Sequence, residues 1–121
     1  MKKNKKSKLL IGITMGDPCG IGPEIILKAL KSPAIRRIAR YVIIGNKGVF
    51  DRTARALNIP VKYSTISHIS DIDSLKTSVF LLPTGEFKPG LMKLKRATAE
   101  GGELSVQCVI KGINLAMNKH I

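Results

Sequence analysis

Tryptophan is absent from this 121-residue sequence, and two tyrosines and three phenylalanines bring its aromatic content to only 4%. A core must therefore be assembled from Ile, Leu, Val, Ala and Met, as in a sheet buried on both faces by helices. Cysteine is nearly as scarce. Cys19 and Cys108 stand too far apart for a CxxC pattern and too few for a metal framework or a disulfide scaffold, so a reducing cytoplasm is the simpler setting. No uninterrupted apolar run approaches the roughly 18 residues of a membrane span. At 44% hydrophobic residues the chain is nonetheless too apolar for disorder. The length allows one domain at most and excludes a multidomain machine.

Acidic residues are the other shortage: 8 Asp and Glu face 21 Lys and Arg, for a net charge of +13. Lys2, Lys3, Lys5, Lys6 and Lys8 make residues 1–8 a basic tail, read as a solvated extension. Smaller groups occur at Arg36, Arg37 and Arg40 and at Lys88, Lys93, Lys95 and Arg96. The aromatics do not interleave with them as stacking platforms, so no specific nucleic-acid partner is expected, and no membrane partner. The basic start before Leu9-Leu10-Ile11-Gly12-Ile13 mimics a short signal peptide, but it breaks at Gly16-Asp17-Pro18 without a cleavage site. A first buried strand explains it better.

Lys8 to Met15 reads as that strand, followed by a glycine-rich turn and a helix opened by Pro23, with Glu24 facing the positive end of its dipole. Ser32-Pro33 ends it, and a short basic helical turn runs from Ala34 to Arg40. Tyr41 to Gly45 is a second buried strand, and Asn46 caps a helix from Lys47 to about Leu57. A third strand is expected at Val61 to Ile66, turn formers at Ser67 to Ser74, a fourth strand at Ser78 to Leu82, and an irregular basic stretch from Gly85 to Arg96. Val106, Val109, Ile110, Ile113 and Ala116-Met117 recur at helical spacing and mark the expected buried face of a helix from Glu103 to about Lys119. The alternation predicts an α/β fold, a largely parallel sheet with flanking helices. A chain that stops straight after a helix, where another strand would normally follow, is expected to be a fragment: residues 9–121 form an incomplete α/β domain.

Chemistry concentrates in Gly16-Asp17-Pro18-Cys19-Gly20-Ile21-Gly22-Pro23-Glu24. A P-loop needs Gly-Lys-Ser/Thr at the helix start, and the dinucleotide fingerprint needs a third Gly where Ile25 stands, so neither motif fits. Glycines at the carboxyl end of a strand let a ligand approach a helix N-terminus, but they equally serve a tight turn. Asp17 and Glu24 either shape a cofactor cleft or act locally, as a turn former and a first-turn acid. Cys19 is either a thiol acidified by the helix start or a small packed residue.

The string from Ile11 to Glu24, with Ile25-Ile26-Leu27-Lys28-Ala29-Leu30, Val42-Ile43-Ile44-Gly45 and Gly101-Gly102 before a helix, closely resembles the amino-terminal part of the 4-hydroxythreonine-4-phosphate dehydrogenase family of vitamin B6 biosynthesis. The resemblance spans nearly all of residues 8–121 and about the first third of a family member. It implies the amino-terminal portion of an isocitrate/isopropylmalate dehydrogenase-like fold and a homodimer. The implied reaction is NAD- or NADP-dependent oxidation of a phosphorylated hydroxythreonine, then decarboxylation to an aminoketone phosphate, with a divalent metal polarising the alcohol. Asp17, Gly20 and Gly22 of the glycine-rich loop are the cofactor-binding candidates, while most dinucleotide contacts of the family lie beyond the point matching Ile121. The metal-binding histidines and substrate contacts lie in the family beyond the point matching Ile121, so no catalytic or metal residue is assigned and this chain alone is expected to be inactive and to bind neither group well. His68 lacks a second ligand at useful spacing, and His120 is expected to fray at the terminus. A paralogue acting on phosphorylated four-carbon sugar acids, or a non-catalytic remnant or module drawn to polyanions, remains the alternative.

Overall fold

The computed structural model describes residues 8–60, 63–87 and 98–121. Most of the basic tail, the start of the expected third strand at Val61-Lys62, and most of the basic stretch before Arg96 therefore lie outside the described residues. The elements are β1 (Leu10–Thr14), α1 (Gly22–Leu30), α2 (Pro33–Ile38), β2 (Arg40–Gly45), α3 (Lys47–Leu57), β3 (Ser64–Thr65), a 3-10 helix (Ile69–Ser74), β4 (Val79–Pro83) and α4 (Ala99–Met117). The four strands form one parallel sheet in the order β1-β2-β4-β3. It is the layered α/β arrangement that the alternation of strands and helices predicts.

The central strands are buried on both faces: Val42, Ile43 and Ile44 of β2 and Phe80 and Leu81 of β4 have no exposed surface. Such strands must be covered on each side, which explains why their sequence is continuously apolar rather than alternating. Leu27 and Leu30 of α1 share an apolar recess with Ile43 and Val79 on one face, and α3 packs beside α1. On the other face α4 lies across β1 and β2. The local signals act as expected where they concern capping. The Asn46 side chain accepts a hydrogen bond from the Val49 amide at 3.1 Å, and the Ser32 hydroxyl accepts one from the Ile35 amide at 3.4 Å.

Three expectations are corrected. Among the described residues of the third strand only Ser64–Thr65 pairs with β4, and the chain then turns away. The expected loop at 67–74 holds a 3-10 helix, because the Asp71 carboxylate accepts from the amides of Ser67 and His68 at 3.2 and 3.0 Å. The last helix starts at Ala99, four residues before Glu103, because Thr98 caps it by accepting from the Gly101 amide at 3.0 Å.

A larger correction concerns which side of α4 is buried. Gly101, Leu104, Cys108 and Leu115 face the protein, whereas Val106, Val109, Ile110, Ile113 and Met117 are 42–77% exposed. Gly112 explains the choice, since a Cβ there would stand 3.2 Å from the Thr14 methyl and 3.4 Å from Ile44. The helix approaches the sheet along its small residues, and its bulky aliphatic face points outward.

Asp51 and Tyr63 tie α3 to the segment before β3. The carboxylate accepts from the Lys47 ammonium and from the Tyr63 hydroxyl, each at 2.6 Å. Burial alone would raise the Asp51 pKa, but the hydrogen bonds from Lys47 and Tyr63 and the charges of Lys47 and Arg55 outweigh it and hold the carboxyl below its ordinary value. Burial first, and then the Asp51 bond and charge, push the Tyr63 hydroxyl upward. A depressed carboxyl stabilises the fold above its unfolded-state pKa, and that contribution disappears as pH falls through the depressed value. Tyr63→Phe is expected to cost about 1 kcal/mol at neutral pH, with the difference from the unsubstituted chain shrinking as acid protonates Asp51. Thermal melts across an acid pH series check this.

Candidate functional site

Because the strands are parallel, all of their carboxyl ends emerge at one edge, where ligand clefts of open α/β sheets form. The β1–α1 loop lies there. Gly16 takes φ +78°, a conformation that other residues adopt only at a cost. The Asp17 carboxylate accepts from the Cys19 amide at 2.9 Å, and the Asp17 carbonyl accepts from the Gly20 amide at 3.0 Å. Asp17 thus closes the turn from within, which is the local role that its residue type allows. α1 begins at Gly22 with Ile21 before it and no side-chain cap, Pro23 in its first turn, and Glu24 held by Lys28 at 3.7 Å.

The glycines in this loop serve different ends. A Cβ at Gly22 would fall on the Met15 carbonyl, so the loop folds back on β1 only because that side chain is missing. A Cβ at Gly20 would meet Asp17 at 3.5 Å, an ordinary contact, which leaves Gly20 as the place where the backbone is approachable. Gly22→Ala is expected to destabilise the fold by about 1–3 kcal/mol, as overpacking against a backbone does. Gly20→Ala should stay within about 0.5 kcal/mol of the unsubstituted chain. Chemical denaturation of the two variants measures both.

Tertiary structure brings the second glycine pair to the same place. The loop approaches α4 so closely that a Cβ at Gly101 would lie 3.0 Å from the Asp17 carboxylate and 3.1 Å from the Thr98 hydroxyl. Beneath it, Met15, Pro18 and Cys108 are fully buried, and burial raises the Cys108 thiol pKa against a smaller opposing bond from the Met15 backbone. Cys19 is half-buried and packs against the core. Beside the loop, an open recess of about 710 Å³ is lined by Glu86, Glu100 and Glu103 with Gly85 and Gln107. Sequence reasoning missed these three carboxylates, which come from two distant segments.

The two histidines are also brought together. His68 and His120 line one recess of about 450 Å³ between α4 and the 3-10 helix, with Arg40, Lys111 and Asp73. His120 is not frayed as expected, since its amide donates to the Leu115 carbonyl at 2.8 Å behind Lys119 at φ 57°, and the chain end packs beyond it with Ile121 against the core. Among the described residues no three His, Cys, Asp or Glu side chains gather as metal ligands. The implied divalent metal therefore has no fitting donor set in them.

No protein-family model matches the chain. It is similar to a 4-hydroxythreonine-4-phosphate dehydrogenase of Trichlorobacter lovleyi, with 42% identity over 72 residues that cover 60% of this chain and 21% of the relative. It also matches the D-threonate 4-phosphate dehydrogenase of Salmonella typhimurium, with 30% identity over 108 residues, 88% of this chain and 33% of that one. In fold it superposes on a crystal structure of a 4-hydroxythreonine-4-phosphate dehydrogenase from Burkholderia phymatum with a TM-score of 0.82 and 22% identity, over 96% of this chain and 35% of the other. The sheet is thus part of an isocitrate dehydrogenase-like fold. The chain spans about a third or less of the length of these proteins. Over nearly its whole length it is similar to about one third of a member of the 4-hydroxythreonine-4-phosphate dehydrogenase family.

Proposed function

We propose that this chain is a portion of a nicotinamide-dependent dehydrogenase acting on a phosphorylated hydroxy acid, and that it supplies the cofactor-side loop of the cleft while the metal and substrate groups come from outside it. One observation carries this reading: the β1–α1 loop, within the Ile11 to Glu24 string, stands at the carboxyl edge of a parallel sheet whose sequence and fold match those relatives. Within the loop, Asp17 and Gly22 fix the backbone and Gly20 leaves it approachable, so the three act together as cofactor-binding residues through shape rather than charge. The uncapped start of α1 offers backbone N–H groups to an anionic portion of the dinucleotide. A nicotinamide held beside this loop would supply the hydride acceptor for oxidation of the alcohol.

Two substrates follow from the relatives' names, 4-hydroxythreonine 4-phosphate and D-threonate 4-phosphate. The test is complementation: this chain is co-expressed with the remaining two thirds of the Salmonella typhimurium relative, and NAD reduction is followed with each substrate. Turnover with both pieces and none with either alone is expected, and the preferred substrate names the activity. No turnover from a co-purifying pair would defeat the reading.

A further inference from the structure

The opposite edge of the sheet, where the strands begin, carries a feature that the dehydrogenase reading does not use. Lys8 precedes β1, Arg36 and Arg37 lie on α2, Arg40 opens β2 and Lys76 precedes β4. Together with Pro33, Thr77 and Ser78 they line one shallow groove of about 540 Å³, and no carboxylate is among its lining residues. Parallel topology explains the convergence, since the starts of three neighbouring strands lie side by side although Lys8 and Lys76 are 68 positions apart in sequence. Among the described residues Asp73 pairs with Arg40 at 3.3 Å, from a side chain that is 88% exposed. A pair so exposed to water offsets little of the groove's charge.

Five cations with this little compensation repel one another, and a bound anion relieves that repulsion. Arg36 adds an independent sign. Its Nε is shielded from solvent with no acceptor within hydrogen-bonding reach among the described residues, so one donor of this guanidinium is left without a partner. Guanidinium forks and ammonium groups suit phosphate oxygens, the first by paired hydrogen bonds and the second as point charges. No aromatic ring lines the groove, so nothing in it would stack on a base.

We propose that this groove binds an oligophosphate, two or three linked phosphate groups, through Arg36, Arg37, Arg40, Lys76 and Lys8. Its size suits such a group better than a duplex, and its several cations favour linked phosphates over a single one. The same chemistry has two sources, free inorganic oligophosphate and the phosphate tail of a nucleotide. A groove that reads phosphates alone accepts both.

The experiment titrates the fluorescently labelled full chain, at nanomolar concentration, with inorganic triphosphate, ATP, inorganic phosphate and a DNA duplex at low and physiological salt. Triphosphate and ATP are expected to bind within about threefold of each other and at least about tenfold more tightly than inorganic phosphate or a duplex. Arg37→Glu with Lys76→Glu should weaken triphosphate at least about tenfold, because both side chains are exposed and their reversal leaves the core untouched. Circular dichroism confirms that the variant is folded, and Lys76→Glu alone, expected to weaken binding several-fold, serves if the double variant is not. Removal of residues 1–7 should leave triphosphate binding in place. The proposal fails if triphosphate does not bind, if the groove variants bind it unchanged, if the deletion abolishes binding, or if a duplex binds more tightly than triphosphate. A strong preference for ATP over triphosphate would also defeat it, by showing that the nucleoside is what is read.

Discussion

Given 4-hydroxythreonine 4-phosphate or D-threonate 4-phosphate, NAD and zinc or magnesium, the 121-residue chain alone is expected to produce no NADH above a chain-free blank. Oxidation of a secondary alcohol in this family's chemistry, as the resemblance implies it, depends on a divalent ion that polarises the alcohol oxygen, and such an ion needs at least three protein ligands and an open position. The described residues gather no such set. His68 and His120 line one recess with Asp73, but Arg40 and Lys111 line it too and their positive charges oppose a cation, and Glu86, Glu100 and Glu103 share a wide recess without gathering as ligands. Asp17, the acid within the β1–α1 loop, is engaged with the Cys19 amide at 2.9 Å. The expected loss is thus of the whole activity, not of a few-fold. Absorbance of NADH at several metal concentrations checks it, and saturable turnover that disappears with a chelator would overturn it.

The outer face of α4 is expected to drive self-association of the chain, and charge placed there to abolish most of it. Val106 is 56% exposed, Ile110 53%, Ile113 55% and Met117 77%, and together they make one contiguous apolar stripe on a single helix. Patches of this kind on soluble proteins drive association. Ile110→Lys with Ile113→Lys removes the centre of the stripe without touching Leu104, Cys108 or Leu115, so light scattering and binding of an apolar dye should fall several-fold while the thermal midpoint stays nearly constant. The opposite face gives the contrast. Leu104 is 2% exposed, and Leu104→Ala should cost about 2–5 kcal/mol through the cavity it leaves. Equal effects of the two changes on the thermal midpoint would show that the outer face is packed after all.

This helix shows where the reading of the sequence stops. Its existence was plain from the spacing of Val106, Val109, Ile110, Ile113 and Met117, because periodicity is a property of the chain itself. Its orientation was not. A hydrophobic stripe says that a face can be buried, not against what, and the face turned inward carries Gly101, Leu104, Cys108 and Leu115, with Gly112 permitting close approach to Thr14 and Ile44.

Local chemistry determined β1, β2 and β4, the caps at Ser32 and Asn46, the glycine-rich turn after β1 and the α/β class, since each depends on neighbours in the sequence or on burial that continuous Ile, Val and Leu announce. Tertiary structure alone decided the strand order β1-β2-β4-β3, the approach of Asp17 to the start of α4, the placing of His68 and His120 on one recess, and the convergence of Lys8, Arg36, Arg37, Arg40 and Lys76 on one groove. The physical reason is common to all four. They join residues far apart along the chain, and such pairings are selected by the packing of whole layers, a global condition that no short window of sequence contains.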